Sequence, residues 1–440
     1  MARRYSDLST TIASWTRKLS WSVLLPFLAI APPSWSQQIE RVEIVETPKV
    51  DLNAGTVKLR LKVYGLNNRP IARFEEKDFQ LMVNCPESAD CPTLEDIKWK
   101  NPQQAEPPES FTIVLLDFSG SMRFHDADGI PKLSGAINAI KNFSEHLGKR
   151  SGNKSHITIV PFGESGDGCA EGQGDYPVTE EQLSTFLLVG DAKFNSYFQY
   201  LGNRLDHLCS STNIYEPLSN AVRFLGDPGD PRFHPPKDSN RPQPRLSIVL
   251  LSDGYHNREN EAQDFETLKS LLRLHPEITV HTLGYGLTPE ELGEKCGLGR
   301  PMTRDDISIC RGVVEAHEFV DKERLTQIAT ETGGIAAFSA NQADIVQSLL
   351  QFLNALLGEY EIIYRHPQID RAELYQVRVK VTSQGSSTAT AEAPYTIPWV
   401  APSLPPKIRV KIVLLAVVAL VIGGFLPFWL WTRSIQRKYQ

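Results

Sequence analysis

The rhythm of hydrophobic and polar positions changes along this chain. Within residues 39–100, Val57, Leu59, Leu61 and Val63 alternate with Lys58, Arg60, Lys62 and Tyr64. A period of two predicts β structure with one buried and one wet face. Gly65-Leu-Asn-Asn68 then supplies turn residues. From 110 to 357, apolar runs alternate with amphipathic stretches. Strands are predicted over 111–117, 156–162, 246–252, 278–284 and 335–339, and helices over 133–147, 215–225, 259–274, 321–332 and 343–357. This alternation is what an α/β fold with a doubly wound, mostly parallel, Rossmann-like sheet requires. Leucines at helical spacing in 343–357 read as core packing rather than as a partner-binding stripe. Residues 226–245 are too rich in proline for a helix or central strand, and 286–318 reads as a second irregular stretch. Each is open to two readings, partner contact or plain insertion.

After Gly358 the period of two returns in Tyr360–Tyr364 and Tyr375–Val381, with one further strand over 388–397. One arrangement open to the two flanking β segments is to pack together, which would make the α/β region an insertion in a β-sandwich stalk.

Both ends predict a membrane. Arg3, Arg4, Arg17 and Lys18 precede a short apolar core, Trp21–Ala31, with small residues at Ser34 and Ser36. That is the pattern of a signal peptide cut before Gln37, with an uncleaved anchor as the alternative. Ile412 to Trp431 carries no charge, and about 20 residues at a rise of roughly 1.5 Å span a bilayer core. Trp429 and Trp431 suit an interfacial belt. Basic residues flank both ends, Lys407, Arg409 and Lys411 on one side and Arg433, Arg437 and Lys438 on the other, so charge alone does not orient the helix. The signal peptide does: the N-terminal bulk is expected outside, periplasmic or at the cell surface, and the short tail in the cytoplasm.

The expected organisation is a signal peptide (1–36), a β-rich domain and linker (37–108), the α/β domain (109–357), a β-rich segment (358–400), a Pro-rich basic spacer (401–411), a transmembrane helix (412–431) and a tail (432–440). Across 440 residues the formal net charge is -6, and no dominant basic field points to nucleic acid. Six cysteines lie between the two ends, which favours disulfides in an exported region. Cys85–Cys91 and Cys296–Cys310 are the economical local pairs, leaving Cys169 with Cys209, although six cysteines allow roughly fifteen pairings. A structural zinc site lacks a C-x-x-C pair or a histidine at ligand spacing.

The candidate chemistry rests on five residues: Asp117, Ser119 and Ser121 in DFSGSM, then Thr212, then Asp253 in LLSDG. Asp117 and Asp253 each end a predicted buried strand. Three hydroxyls and two carboxylates at one sheet edge are oxygen donors for a hard divalent cation. Ligands of such sheets bind beyond the carboxyl ends of strands, where strand order reverses. Singly, each residue has an ordinary use, as a helix cap at Asp117, Ser119 or Thr212, or as a turn former at Asp253.

Taken in order, the set resembles the metal-ion-dependent adhesion site of von Willebrand factor A (vWA) domains, whose pattern is D-x-S-x-S, a distant Thr and then an Asp. The resemblance implies a vWA fold and direct ligation of an ion by Ser119 and Ser121. Thr212 would ligate directly or through water, and Asp117 and Asp253 would act through bound waters and by orienting the serines. Mg²⁺ is the expected ion, with Mn²⁺ and Ca²⁺ as the other candidates. An open coordination position would attract a Glu or Asp carboxylate from a protein partner. The segment Arg73–Leu81 resembles small β-sandwich modules that precede vWA domains in bacterial exported proteins. Ser210-Ser211 stands where the family often has glycines. Phe118 puts an aromatic beside the site, and Arg123, Phe124, His125 and Asp126 are candidates for its rim.

A metal-bridged binding or adhesion module is therefore the expected function. The alternative is an accessory structural subunit of a membrane transporter, channel or envelope complex, with Ala416, Ala419, Gly423 and Gly424 supporting helix packing. No enzyme is expected: H-E-x-x-H and G-x-S-x-G are absent, and His125 and His256 read as rim residues.

Overall fold

The structure, a computed structural model, describes residues 38–438 apart from 53, 73, 85–93, 95, 167–168, 172, 189–190, 192, 206–207, 237–238, 240, 316–317, 366–372, 384–387 and 398–405. The segment expected to be a signal peptide, the expected Cys85–Cys91 pair and the expected proline spacer up to 405 lie outside the described residues.

Five strands come first: β1 (Arg41–Ile44), β2 (Lys49–Asp51), β3 (Thr56–Tyr64), β4 (Phe79–Val83) and β5 (Lys98–Lys100). The α/β region runs β6 (Ser110–Asp117), α1 (Lys132–Ser151), β7 (Ser155–Phe162), α2 (Glu180–Ser184), β8 (Leu187–Leu188), α3 (Lys193–Gly202), α4 (Tyr215–Leu225), β9 (Arg245–Ser252), α5 (Glu261–Leu274), β10 (Ile278–Tyr285), α6 (Pro289–Cys296), α7 (Lys322–Glu331), β11 (Ala336–Ser339) and α8 (Gln342–Leu357). Three more strands, β12 (Tyr360–Arg365), β13 (Leu374–Thr382) and β14 (Thr388–Thr396), precede the apolar helices α9 (Pro406–Leu420) and α10 (Leu426–Lys438), which a π-helical turn, Val421–Phe425, joins.

The α/β region is built on a mostly parallel sheet in the order β11-β10-β9-β6-β7-β8, with only β8 antiparallel to its neighbour. Every residue of β6 is buried, so its sequence shows an apolar run instead of alternation. Its alternate side chains feed two separate cores. Val114 and Leu116 pack with Leu133, Ile140 and Phe143 of α1 and Phe352 of α8. Ile113 and Leu115 pack with Leu218 and Val222 of α4, Phe265 of α5 and Ile328 of α7. The chain steps from β6 to β7 on one side and later to β9 on the other, so strand order reverses between β6 and β9.

Four elements of the α/β region depart from the sequence expectation: α2, β8, α3 and α6. Helix α3 falls in a stretch left without a helix, and it buries Phe194, Phe198 and Leu201, a spacing that was legible. Helix α6 interrupts the supposedly irregular 286–318. Its start is a capping box from Thr288 to Glu291 with Pro289 in the first turn, a signal present in the sequence. The proline-rich 226–245 is tied down through Phe233, which is fully buried and packs edge-on against Phe111 with ring centroids 5.1 Å apart.

The flanking β segments share their sheets. β3 pairs with β1 and with β12, setting Leu59 opposite Ile362 and Leu61 opposite Tyr360. β13 pairs with β4 and β14 in a second, three-stranded sheet. One hydrophobic cluster, including Leu59, Leu61, Tyr360, Val377 and Val379, draws on both sheets.

The wet face expected for β3 is a correction. Arg60 and Lys62 are only 7% and 8% exposed, because the α/β region covers them. The Lys62 ammonium donates to the carbonyl of Ala355 at 2.6 Å, near the C-terminal end of α8, where a cation suits the helix dipole. Glu359 accepts from Arg60 at 3.2 Å and from Arg245 at 2.6 Å. Burial pushes the Glu359 carboxyl up, but Arg245, Lys62 and Arg60 outweigh it and hold it below the usual range. A period of two records which residues share a face; here that second face meets a charged partner surface.

Near the C-terminus, one helix, Val413–Ile435, is long and apolar enough to cross a membrane, and it is unburied within the protein.

Candidate metal centre

Each expected ligand sits where its element ends. β6 delivers Asp117 and β9 ends at Ser252, immediately before Asp253, so the strand reversal brings both carboxylates to one edge. Both are fully buried. Asp117 Oδ1 accepts from the backbone N–H of Ser119 at 2.8 Å, and its Oδ2 accepts from the Ser252 hydroxyl. Asp253 Oδ1 accepts from the Ser121 hydroxyl at 2.7 Å, and more distantly, at 3.5 Å, from that of Ser119. The two serine oxygens are 2.8 Å apart. Asp117, Ser119, Ser121 and Asp253 therefore form one hydrogen-bonded cluster.

Thr212 lies beside Gly254, the residue that follows Asp253. Its Oγ1 lies 3.0 Å from where a Cβ on Gly254 would stand, so the residue after Asp253 must be small for the hydroxyl to lie there. The threonine loop is bound to the serine loop by the Gly120 N–H donating to Ser210 O at 2.9 Å, and it is tethered by the Cys169–Cys209 disulfide. Cys296–Cys310 is also formed.

Burial, then the nearby Asp253 charge, pushes the Asp117 carboxyl up to about 7, against hydrogen bonds from Ser252 and Ser119 that pull it down. A second carboxylate nearby disfavours ionisation of such a buried group unless a cation offsets it. One cation is present that sequence reasoning missed. Lys132, the first residue of α1, is 6% exposed and donates to Asp253 Oδ2 at 2.8 Å. Ser252 was also missed. The residue next to a strand-ending aspartate was the available signal for Ser252; for Lys132 there was none, since only the fold brings it to Asp253.

The rim expectation for His256 is corrected. His256 is 2% exposed and stacks on Tyr215 at 4.0 Å between centroids. Its Nδ1 accepts from the Ile214 N–H at 3.3 Å, and burial holds its pKa down near 4. Asp126 is a clamp: it accepts from the Tyr285 hydroxyl at 2.7 Å and the Gln342 N–H at 3.2 Å, tying the loop after the serines to β10 and α8. Tyr285 also explains Gly135 in α1, where a Cβ would clash with the phenol oxygen. Arg123 and His125 are exposed.

Among the described residues, no group of three or more His, Cys, Asp or Glu side chains is placed to hold a metal. The donors at this edge are instead two carboxylates and three hydroxyls, a hard, oxygen-only set that fits a small dication keeping part of its water.

No family model matches the sequence, and no curated protein matches it. Similar solved structures include the pilus adhesin SpaC from Lactobacillus rhamnosus GG, with TM-score 0.36 and 12% identity over 83% of this chain and 50% of that one. This chain thus spans half the length of SpaC. The vWF domain of the type V pili tip protein Mfa5 from Porphyromonas gingivalis is similar with TM-score 0.33 and 12% identity, over 57% of this chain and 96% of that one. An adhesive tip pilin from Group B Streptococcus agalactiae gives TM-score 0.29 and 9% identity, over 81% and 91%.

Proposed function

We propose that this chain is a membrane-anchored, extracytoplasmic vWA-type protein that binds a protein partner through a divalent metal, Mg²⁺ first among the candidates. The observation that carries the reading is the meeting of Asp117 and Asp253, both fully buried, with the Ser119 and Ser121 hydroxyls at the edge where strand order reverses. In this reading the α/β region is a doubly wound vWA domain, and the apolar helix Val413–Ile435 anchors it with the bulk outside.

Ser119, Ser121 and Thr212 would hold the ion through their hydroxyls, and Asp117 and Asp253 would orient them and carry the balancing charge. When bound, a hard dication offers an open position to an anionic oxygen. Neutral hydroxyls would leave such an ion poorly neutralised, so the site would favour a Glu or Asp side chain of a partner. Asp117 already holds the Ser119 backbone and Asp253 the Ser121 hydroxyl, so the serine loop is positioned by charges that stay buried. The reading is one of binding without turnover, and the burial and ring stacking of His256 support it, since that imidazole is not presented as a base.

The test is affinity capture from native membranes with the full chain in detergent, in Mg²⁺ and in EDTA, beside Asp117→Ala. A protein recovered by the wild type in Mg²⁺ and lost in the other two arms is the expected result. Equal recovery in all three would move binding to another surface.

A further inference from the structure

Lys132 is a lysine in an adverse place. It opens α1, where the helix dipole is positive and disfavours a cation. At 6% exposure it has lost almost all its water, which is costly for an ammonium without a partner. Its ammonium donates to Asp253 Oδ2 at 2.8 Å, while the other oxygen of the same carboxylate receives the Ser121 hydroxyl at 2.7 Å. On its far side the ammonium faces Gly286 at the end of β10, with Nζ 3.9 Å from where a Cβ there would stand. The lysine is thus wedged between the end of β10 and the carboxylate that orients the serine hydroxyls.

Resting on the proposed metal site, we propose that Lys132 is a built-in rival of the divalent ion and makes ion binding depend on the acidic ligand. With both carboxylates ionised, Asp117, Asp253 and Lys132 sum to one negative charge; without the lysine the sum is two. A dication then leaves one net positive charge in the presence of Lys132 and none in its absence. The lysine therefore weakens capture of the bare ion and strengthens the attraction of the loaded site for a carboxylate. Because such coupling is reciprocal, an acidic ligand must tighten ion binding in return.

The experiment uses the full chain in detergent and measures Mn²⁺ binding by electron paramagnetic resonance, with Mg²⁺ as competitor. It compares wild type, Lys132→Met, Lys132→Arg and Asp117→Ala, each in sodium chloride and in sodium acetate of equal ionic strength. Lys132→Met is expected to bind the ion about tenfold more tightly or better, since one like-charge repulsion at short range is removed. Lys132→Arg should stay near wild type, and acetate should tighten Mn²⁺ binding more in wild type than in Lys132→Met. If Lys132→Met does not fold, as judged by melting in EDTA, Lys132→Gln keeps a donor for Asp253 and serves in its place. Unchanged or weaker ion binding in Lys132→Met (or in Lys132→Gln where it serves in its place), or an equal acetate effect, overturns the inference while loss of binding in Asp117→Ala preserves the site. Wild-type-like Mn²⁺ binding by Asp117→Ala overturns the metal site itself and the inference with it.

Discussion

His281 offers a sharp test of how burial in this fold translates into acid sensitivity. It lies on β10, 2% exposed, stacked on Phe352 of α8 with centroids 4.7 Å apart. Its Nδ1 accepts from the Ile335 N–H at 3.1 Å, so the neutral ring is the one the fold accommodates. Burial first, then the Lys62 charge, lowers its pKa from 6.5 to about 3. Lys62 is the nearby cation, and it is itself buried beneath the β-sandwich. The unfolded chain takes up a proton on this histidine as pH falls through about 6.5, whereas the folded chain resists until about 3. The stability it contributes is thus fully present above about 6.5 and is lost progressively as pH falls towards 3. At about pH 5 the loss relative to neutral is on the order of 2 kcal/mol, about one and a half pKa units at ~1.4 kcal/mol each.

His281→Asn keeps an acceptor for the Ile335 N–H and removes the titration. It should cost about 1–3 kcal/mol at neutral pH through lost packing, yet lose about 2 kcal/mol less than wild type on going to about pH 5. Urea unfolding of the full chain in detergent, followed by circular dichroism at both pH values, reads this difference directly. Parallel pH dependences for the two proteins would refute the reasoning, because every other titrating group is common to both.

Two further predictions concern the joint and the metal edge. Glu359→Gln leaves Arg245, Lys62 and Arg60 buried without their shared carboxylate; it should cost about 3–5 kcal/mol, as breaking a buried ion pair does. Adding Arg245→Met should recover part of that cost, and a melting temperature equal to wild type in the single variant would count against the network. Gly254→Ala sets a Cβ 3.0 Å from Thr212 Oγ1, so the hydroxyl must move; Mn²⁺ binding should weaken about tenfold, near 1.4 kcal/mol, with circular dichroism unchanged. Equal affinity would show that Thr212 does not take part.

The alternation of apolar strands and amphipathic helices from Phe111 to Leu357 was legible because a strand covered on both faces is mostly apolar, and β6 and β9, buried but for Arg245, carry such runs over Ile113–Leu116 and Ile248–Leu251. The positions of Asp117 and Asp253 followed, since a carboxylate after such a run can only stand at its end. The charge-free stretch from Ile412 to Trp431 was equally plain, and all but its first residue lies in the helix Val413–Ile435, which is long and apolar enough to cross a membrane. Helices α3 and α6 carried readable signals in Phe194, Phe198 and Leu201 and in Thr288 to Glu291, though both lay in stretches dominated by loop residues.

Other features existed only in three dimensions. That Arg60 and Lys62 are buried rather than wet depends on Glu359 and the carbonyl end of α8, some 300 residues away in sequence. The sharing of one sandwich core by β3 and β12, and the arrival of Lys132 against Asp253 across 121 positions, are likewise contacts between distant segments. Periodicity reports which side chains share a face, and a strand's end reports where a side chain emerges. Neither reports what lies opposite. For this chain, local pattern determined the elements and the edge where chemistry collects, and tertiary packing alone decided which charges face one another there.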